Sequence, residues 1–195
     1  MSLLKRTLHT CITGIGNMEP QYCGTRHNVG NMIVRMIQQQ LCPHSKFKTV
    51  PGFKGIQYVR DETQDNHIIS LLICTGGYMN QIGRLVTPVW KRVKAQYWNT
   101  QFIVVHDELD KPLGHIQLRE PGTSSRGHNG LKSLTACYGA KFYKLGIGID
   151  RPTSRSPTEV ANYVLDEFPK DSLTILKEVS LPRALQKLKD LSKFQ

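Results

Sequence analysis

The chain predicts one α/β domain, a twisted mixed β-sheet flanked by helices. Three observations carry that prediction. Short apolar runs at Leu8 to Gly14, Ile68 to Cys74, Phe102 to Val105 and Leu145 to Ile149 have the length and composition of buried strands. Segments between them repeat apolar residues at helical spacing. The first three runs close on Gly-Ile-Gly, Gly76-Gly77 and His106-Asp107, the pattern of strands that deliver polar groups to the carboxyl edge of an open sheet.

The elements follow in order. Leu8 to Gly14 is a strand, and Gly14 and Gly16 permit a sharp exit that carries Asn17 to the sheet mouth. A dinucleotide-binding loop would need a third glycine where Glu19 stands, which argues against that fold. Met32, Ile33, Met36, Ile37 and Leu41 then repeat on one helical face, giving a helix to about Leu41. Pro43 to Phe53 reads as basic and irregular, followed by strands at Gly55 to Val59 and Ile68 to Cys74 around a polar turn, Asp61 to Asn66. Ile82, Leu85, Val86, Val89, Trp90 and Val93 predict a second helix, with Tyr78, Met79 and Asn80 at its start. Phe102 to Val105 has the character of a central strand, and His115 to Leu118 adds another. Residues 120 to 127 form a polar loop before a helix from Asn129 to Cys137. Leu145 to Ile149 is the last strong strand. A short helix around Val160, Tyr163 and Val164 and a final amphipathic helix from Leu173 to Leu191 complete the chain. No repeat, low-complexity tract or linker interrupts it, so residues 1–195 read as a single domain.

Composition narrows the function classes. A length of 195 residues with 39% hydrophobic content suits one core. No stretch approaches the roughly 18 apolar residues of a membrane helix, which gives the expectation of no membrane partner. The five cysteines are scattered, odd in number and free of CxxC, as expected of free thiols in a reducing compartment. The formal charge is +11 and the pI about 9.6. Residues 1–60 hold eight Lys/Arg against Glu19 alone, and residues 111–155 hold eight against Glu120 and Asp150. The last forty residues balance, six against six. The excess lies with the polar motifs and points to a polyanionic substrate, while an alkaline compartment such as the mitochondrial matrix is the plainer reading. Both stay open. Lys5, Arg6 and His9 without an acid before Glu19 resemble the beginning of a transit peptide.

The chemistry centres on Thr25-Arg-His-Asn-Val-Gly30. Asp107, at the end of a core strand, can accept one imidazole N–H of His27, fix its tautomer and raise its basicity. Such an imidazole is a general base near neutral pH. No Gly-x-Ser-x-Gly elbow is present and nothing marks Cys23 as an activated thiolate, so water is the nucleophile that remains. Asn17, Asn80 and Asn129 are neutral groups able to hold water and an oxyanion, although each alone fits a turn or cap. A metal bound by His27, His106, His115, His128 and Asp107 is the competing reading, without HExxH or another zinc spacing to support it.

Four ordered motifs now bear on identity: Gly14-Ile-Gly-Asn17 with Tyr22 and Thr25 to Gly30; Gly77-Tyr-Met-Asn80-x-x-Gly83; Val105-His-Asp-Glu-Leu-Asp110; and Gly114, Arg126-Gly-His-Asn-Gly-Leu-Lys132 with Leu145 to Pro152. In these the chain resembles the bacterial-type peptidyl-tRNA hydrolase family, which also occurs in mitochondria and plastids. The resemblance implies a monomeric α/β domain that cleaves the ester joining a peptide to the 3′ ribose of tRNA, with no metal or organic cofactor and no stable protein partner. It implies His27 as general base, Asp107 as its partner and Asn80 as organiser of water and oxyanion. It further implies Met79 as a pocket wall, Asn17, His128 and Asn129 near the peptide backbone or tRNA end, and Tyr22 as a neighbouring aromatic. Arg119, Arg126, Lys132, Lys144, Arg151 and Arg155 are the expected phosphate contacts. Met18-Glu19 replaces the family's usual Pro-Gly, and Gly146 stands where a basic residue is common, with Lys144 on the same strand face. A non-catalytic RNA-binding relative on the same fold is the alternative, since plastid splicing factors belong to this superfamily. A small-substrate esterase conflicts with the charge around the motifs. The expected compartment is the mitochondrion, with the cytoplasm as the alternative.

Overall fold

A computed structural model describes residues 8–62, 67–154 and 156–193. Seven strands form one sheet: β1 (His9–Gly14), β2 (Lys48–Val50), β3 (Phe53–Glu62), β4 (Ile68–Cys74), β5 (Thr100–Glu108), β6 (Ile116–Arg119) and β7 (Tyr143–Gly148). Their order is β2-β3-β4-β1-β5-β7-β6. The four inner strands, β4, β1, β5 and β7, run parallel, and β2, β3 and β6 add antiparallel edges. The mixed sheet predicted from sequence is therefore present. The segment from Pro43 to Phe53, expected to be irregular, contains β2, whose Lys48-Thr49-Val50 run is too short to show alternation.

The chain crosses from one parallel strand to the next through α1 (Val29–Leu41) and α2 (Ile82–Gln96), and α3 (Asn129–Tyr138) leads into β7. Alternating strand residues divide the core in two. Ile12, Leu71, Ile73, Ile103, Val105, Leu145 and Ile147 face α1 and the C-terminal helices. Cys11, Leu72, Cys74, Phe102 and Val104 face α2 and α3 around Trp90 and Phe142. Trp90 stacks on Phe102 at 4.6 Å and donates its indole N–H to Thr13 Oγ1 at 3.0 Å, so its one polar atom is satisfied.

After α4 (Pro157–Leu165) the final helix expected from Leu173 to Leu191 is present, unbroken from 170 to 193 but not α-helical throughout. It divides into α5 (Lys170–Ile175), a π-helical stretch Leu176–Ser180 and α6 (Leu181–Lys193). Pro182 explains the change, because it has no N–H for the Glu178 carbonyl and its ring crowds that carbonyl.

All four parallel strands end at one edge, and two glycines let α1 sit close to it. A Cβ on Gly14 would lie 2.5 Å from the Gly30 carbonyl oxygen, and one on Gly30 would collide with the carbonyl oxygens of Ile15 and Val105. This backbone contact holds the turn before α1 against the end of β5. Gly30→Ala is expected to destabilise the fold by about 3 kcal/mol, since the neighbours are backbone and cannot yield easily; urea denaturation measures it.

Candidate active site

Three crossings converge where the parallel strands end. The first, after β1, is a 3₁₀ turn Arg26–Asn28 that presents His27. Asn28 braces it from within: its Oδ1 accepts the Asn17 N–H at 2.8 Å and its Nδ2 donates to the Asn17 carbonyl at 3.0 Å. The second, after β4, is a 3₁₀ turn Met79–Gln81 that runs directly into α2. The buried Asn17 ties the two together, its Oδ1 accepting the Met79 N–H at 2.7 Å. Its Nδ2 is then the group left to border the cleft. The third is β5 itself, which extends beyond the predicted run and carries Asp107 inside the strand, 5% exposed.

Asp107 Oδ1 is shared by two histidines. His27 Nδ1 and His128 Nε2 each lie 2.8 Å from it. Hydrogen-bond direction fixes both tautomers. His128 caps α3, its Nδ1 accepting the N–H groups of Gly130 at 3.1 Å and Leu131 at 3.3 Å. That nitrogen carries a lone pair, so Nε2 carries the proton and donates to Asp107. A carboxylate can only accept, so His27 Nδ1 also donates and Nε2 of His27 holds the free lone pair. The sequence brings His27 to Asp107 as expected, but nothing in its spacing shows the second link, from His128.

Burial of the His27 ring disfavours its cation, yet the Asp107 charge and hydrogen bond outweigh that and hold the pKa above the ordinary histidine value. Burial also raises the Asp107 carboxyl, but the adjacent imidazoles His27 and His128 more than offset it and keep the group ionised far below the usual carboxylate range. His106 behaves oppositely. Fully buried, with its Nδ1–H on the Asp107 carbonyl at 2.6 Å, it is pushed down to about 3, by desolvation first and the His128 neighbour next. His27, Asp107 and His128 are close enough to surround an ion, all ligand atoms lying within 4.8 Å of one another. The donor chemistry does not fit one. A metal would need the His128 Nε2 lone pair, and the two backbone N–H groups at Nδ1 hold the proton there instead. His115 stands apart from this trio.

The three histidine and aspartate side chains border a cleft of about 580 Å³, also lined by Asn17, Tyr78, Met79, Asn80 and Asn129. Asn80 and Asn129 are exposed and Met79 is buried in the floor. Tyr22 meets Tyr78 edge to face at 6.5 Å beside the opening. An apolar wall comes from α4, where Val160, Val164 and Leu165 face the cleft. Sequence reasoning left that wall unassigned, because three apolar residues at helical spacing look like ordinary core.

Two expected phosphate contacts require correction. Arg119 is 7% exposed; it ion-pairs with Glu108 at 3.4 Å and donates to the Ser124 carbonyl at 2.8 Å. Lys144 has no exposed surface, lies 4.7 Å from the centre of the Phe142 ring and reaches Thr123 Oγ1 at 3.3 Å. Both cations hold the 120–127 loop from beneath and do not face solvent. A cation in a strand near the sheet edge looks exposed from sequence, but here the loop folds back over both. Arg126, Lys132 and Arg151 are exposed, with Arg151 paired to Asp110. Arg155 lies outside the described residues. Glu19, one of the departures noted above, is engaged locally, accepting from Arg35 at 2.5 Å and Asn31 at 3.1 Å.

His27 and His106 should be distinguishable by NMR titration. His27 is expected to gain its proton at a pH above 6.5, while His106 stays neutral down to about pH 3. A His27 midpoint below 6.5 contradicts the hydrogen-bond assignment.

The family profile described as peptidyl-tRNA hydrolase matches residues 11–194. A Saccharomyces cerevisiae protein named peptidyl-tRNA hydrolase is 42% identical over 184 residues, 91% of this chain and 93% of that protein. One of the same name from Lactiplantibacillus plantarum is 39% identical over 161 residues, 80% of this chain and 79% of its own. The crystal structure of peptidyl-tRNA hydrolase from Acinetobacter baumannii superposes with a TM-score of 0.71 at 27% identity, covering 93% of this chain and 92% of that one. With a profile spanning nearly the whole chain, close relatives of matching length and a shared fold, this chain belongs to the peptidyl-tRNA hydrolase family.

Proposed function

We propose that the chain hydrolyses peptidyl-tRNA at the ester between the peptide and the 3′ ribose, with His27 as general base and water as nucleophile. The observation that carries the mechanism is the free Nε2 lone pair of His27, set by the Nδ1 bond to Asp107 at 2.8 Å. His27 Nε2 takes a proton as water attacks the ester carbonyl. Negative charge gathers on the carbonyl oxygen, where the exposed amides of Asn80 and Asn129 can donate N–H groups. Collapse breaks the carbon–oxygen bond to the ribose, and the departing 3′ oxygen takes the proton back from His27. The products are a free peptide carboxylic acid and tRNA. Asp107 stays ionised throughout and favours the imidazolium that forms.

Substrate binding divides by chemistry. The α4 wall of Val160, Val164 and Leu165 suits peptide side chains, and the amide of Asn17 suits a peptide carbonyl. Tyr22 and Tyr78 offer aromatic surface beside the opening. Arg126, Lys132 and Arg151, with Arg155 from the sequence reading, supply phosphate contacts that do not depend on base identity. Recycling of tRNA from prematurely released peptidyl-tRNA, by a monomer acting in the mitochondrion, completes the proposal. Support for the compartment is the basic, acid-free stretch Met1 to Thr10, and import into isolated mitochondria tests it.

Purified protein should cleave N-blocked aminoacyl-tRNA and spare free aminoacyl-tRNA, with no loss of rate in chelator. His27→Ala is expected to lower kcat at least about a hundredfold while tRNA affinity holds, because a general base acts on the chemical step alone. Normal turnover by that variant removes His27 from the mechanism. The base must be neutral, and its pKa is raised. The acid limb of kcat/KM therefore inflects above pH 6.5 and activity climbs as pH rises through it. Asp107→Asn removes the charge that raises the pKa, so the residual activity should show an acid limb shifted to lower pH.

A further inference from the structure

Withdrawal of Arg119 and Lys144 into buried contacts leaves the question of where a polyanion is gripped. The exposed charge has a clear geography. From His67 to His106 the sequence contains no acid, yet it holds Arg84, Lys91, Arg92 and Lys94. All four cations lie on α2 and are exposed. The helix buries Ile82, Val86, Val89 and Trp90, and Arg84, Pro88, Lys91 and Ala95 form one stripe on its outer side, with Lys94 beside it. Next to α2 on the same sheet face lies α3, also without an acid, carrying the exposed Lys132. Close packing joins the two helices: the Gly83 N–H donates to Ser133 Oγ at 3.0 Å. The opposite layer is different. Its C-terminal helices and their links carry Glu159, Asp166, Glu167, Asp171, Glu178 and Asp190 among a similar number of cations.

We infer that the outer face of α2 is a second RNA-docking surface, which holds the phosphate backbone of the tRNA body while the 3′ end lies in the cleft. The inference rests on the peptidyl-tRNA reading above. Continuity supports this occupant. The turn Met79–Gln81 that lines the cleft runs straight into α2, so the cationic stripe starts at the site and leads away from it. From Arg84 to Lys94 is ten residues, about 15 Å along the axis at 1.5 Å per residue. A duplex stem extending from a 3′ end in the cleft can follow such a stripe. Double-stranded RNA is met mainly through shape and backbone, and this face offers cations without acids to repel phosphate. Arg92 is partly committed, since its Nη1 donates to the Pro51 carbonyl at 3.1 Å, so the stripe proper is Arg84, Lys91 and Lys94.

The test is the triple variant Arg84→Glu, Lys91→Glu, Lys94→Glu assayed on two substrates. One is full-length N-acetyl-aminoacyl-tRNA; the other is the same blocked ester on a short single-stranded oligonucleotide with the tRNA 3′ sequence. For the full tRNA, KM should rise about tenfold or more with kcat little changed, and the salt dependence of kcat/KM should flatten by roughly two to three in log–log slope. The short substrate should be cleaved as by wild type, which also shows that the variant is folded. Charge reversal at Lys177, Lys187 and Lys189, exposed on the opposite layer, should leave the full-tRNA KM within about twofold. Unchanged kinetics of the α2 variant on full tRNA overturn the inference and leave the hydrolase reading intact. Wild type that cleaves neither substrate overturns the hydrolase reading itself. Equal losses on both substrates assign α2 to the cleft's integrity, and binding of wild type to anionic phospholipid vesicles with unaltered tRNA kinetics assigns the stripe to a lipid surface; either result also overturns the inference.

Discussion

The structure depends on one carboxylate oxygen. Asp107 Oδ1 sits at the carboxyl end of a central strand, nearly without solvent, and accepts from His27 and His128 at 2.8 Å each. A buried carboxylate is costly unless charge-assisted bonds replace its water, and each such bond contributes about 1.5–3 kcal/mol. The two donors come from opposite faces of the sheet, His27 ahead of α1 and His128 ahead of α3. Asp107 thus joins both helical layers while it selects the tautomer of each ring. Removing it frees both rings and loosens two helix starts. Its depressed pKa makes this contribution fully present above the ordinary carboxylate range and lost as pH falls toward the folded value. The His27 share has the opposite sign, since a raised pKa stabilises below the ordinary imidazole value and fades as pH rises through the folded one.

Much of this was legible in the sequence, and the reason is local. Strands such as Ile68–Cys74 announce themselves because burial on both faces demands an unbroken apolar run. His27, Asp107 and Asn80 stand out because each follows or ends such a run, where an α/β sheet places its polar groups. What stayed hidden depends on tertiary closure. His128 gains its role only when α3 caps on its Nδ1 and turns Nε2 toward another element. β2 is paired by its neighbour, not by its own three residues. The π-helical turn inside the C-terminal helix is marked by Pro182, whereas amphipathic spacing shows only that the helix continues through it.

Arg119 and Lys144 show the same limit from the side of charge. Burying a cation is tolerated only with a partner. Glu108, itself 5% exposed, supplies one for Arg119 and reaches toward Arg126 at 3.9 Å. Glu108 lies next to Asp107 in the strand, so its side chain points to the other face. One strand end therefore carries two acids with separate tasks. Asp107 orders the histidines, and Glu108 anchors Arg119 beneath the 120–127 loop. Composition counts every cation equally, and only the fold separates those that hold the loop from those that meet solvent.

That separation has a mechanistic consequence. The cleft brings together neutral amides and imidazoles tied to the buried Asp107 carboxylate, and Arg126 and Arg151 line it as well. Free cations close to His27 would lower its pKa and oppose its imidazolium form. Arg119 is kept from the base by its pairing with Glu108, and Arg84, Lys91 and Lys94 stand on the outer side of α2. A site arranged this way can bind RNA with a strong salt dependence while the His27 pKa answers to its own burial and to Asp107. Affinity and proton chemistry then respond to different residues.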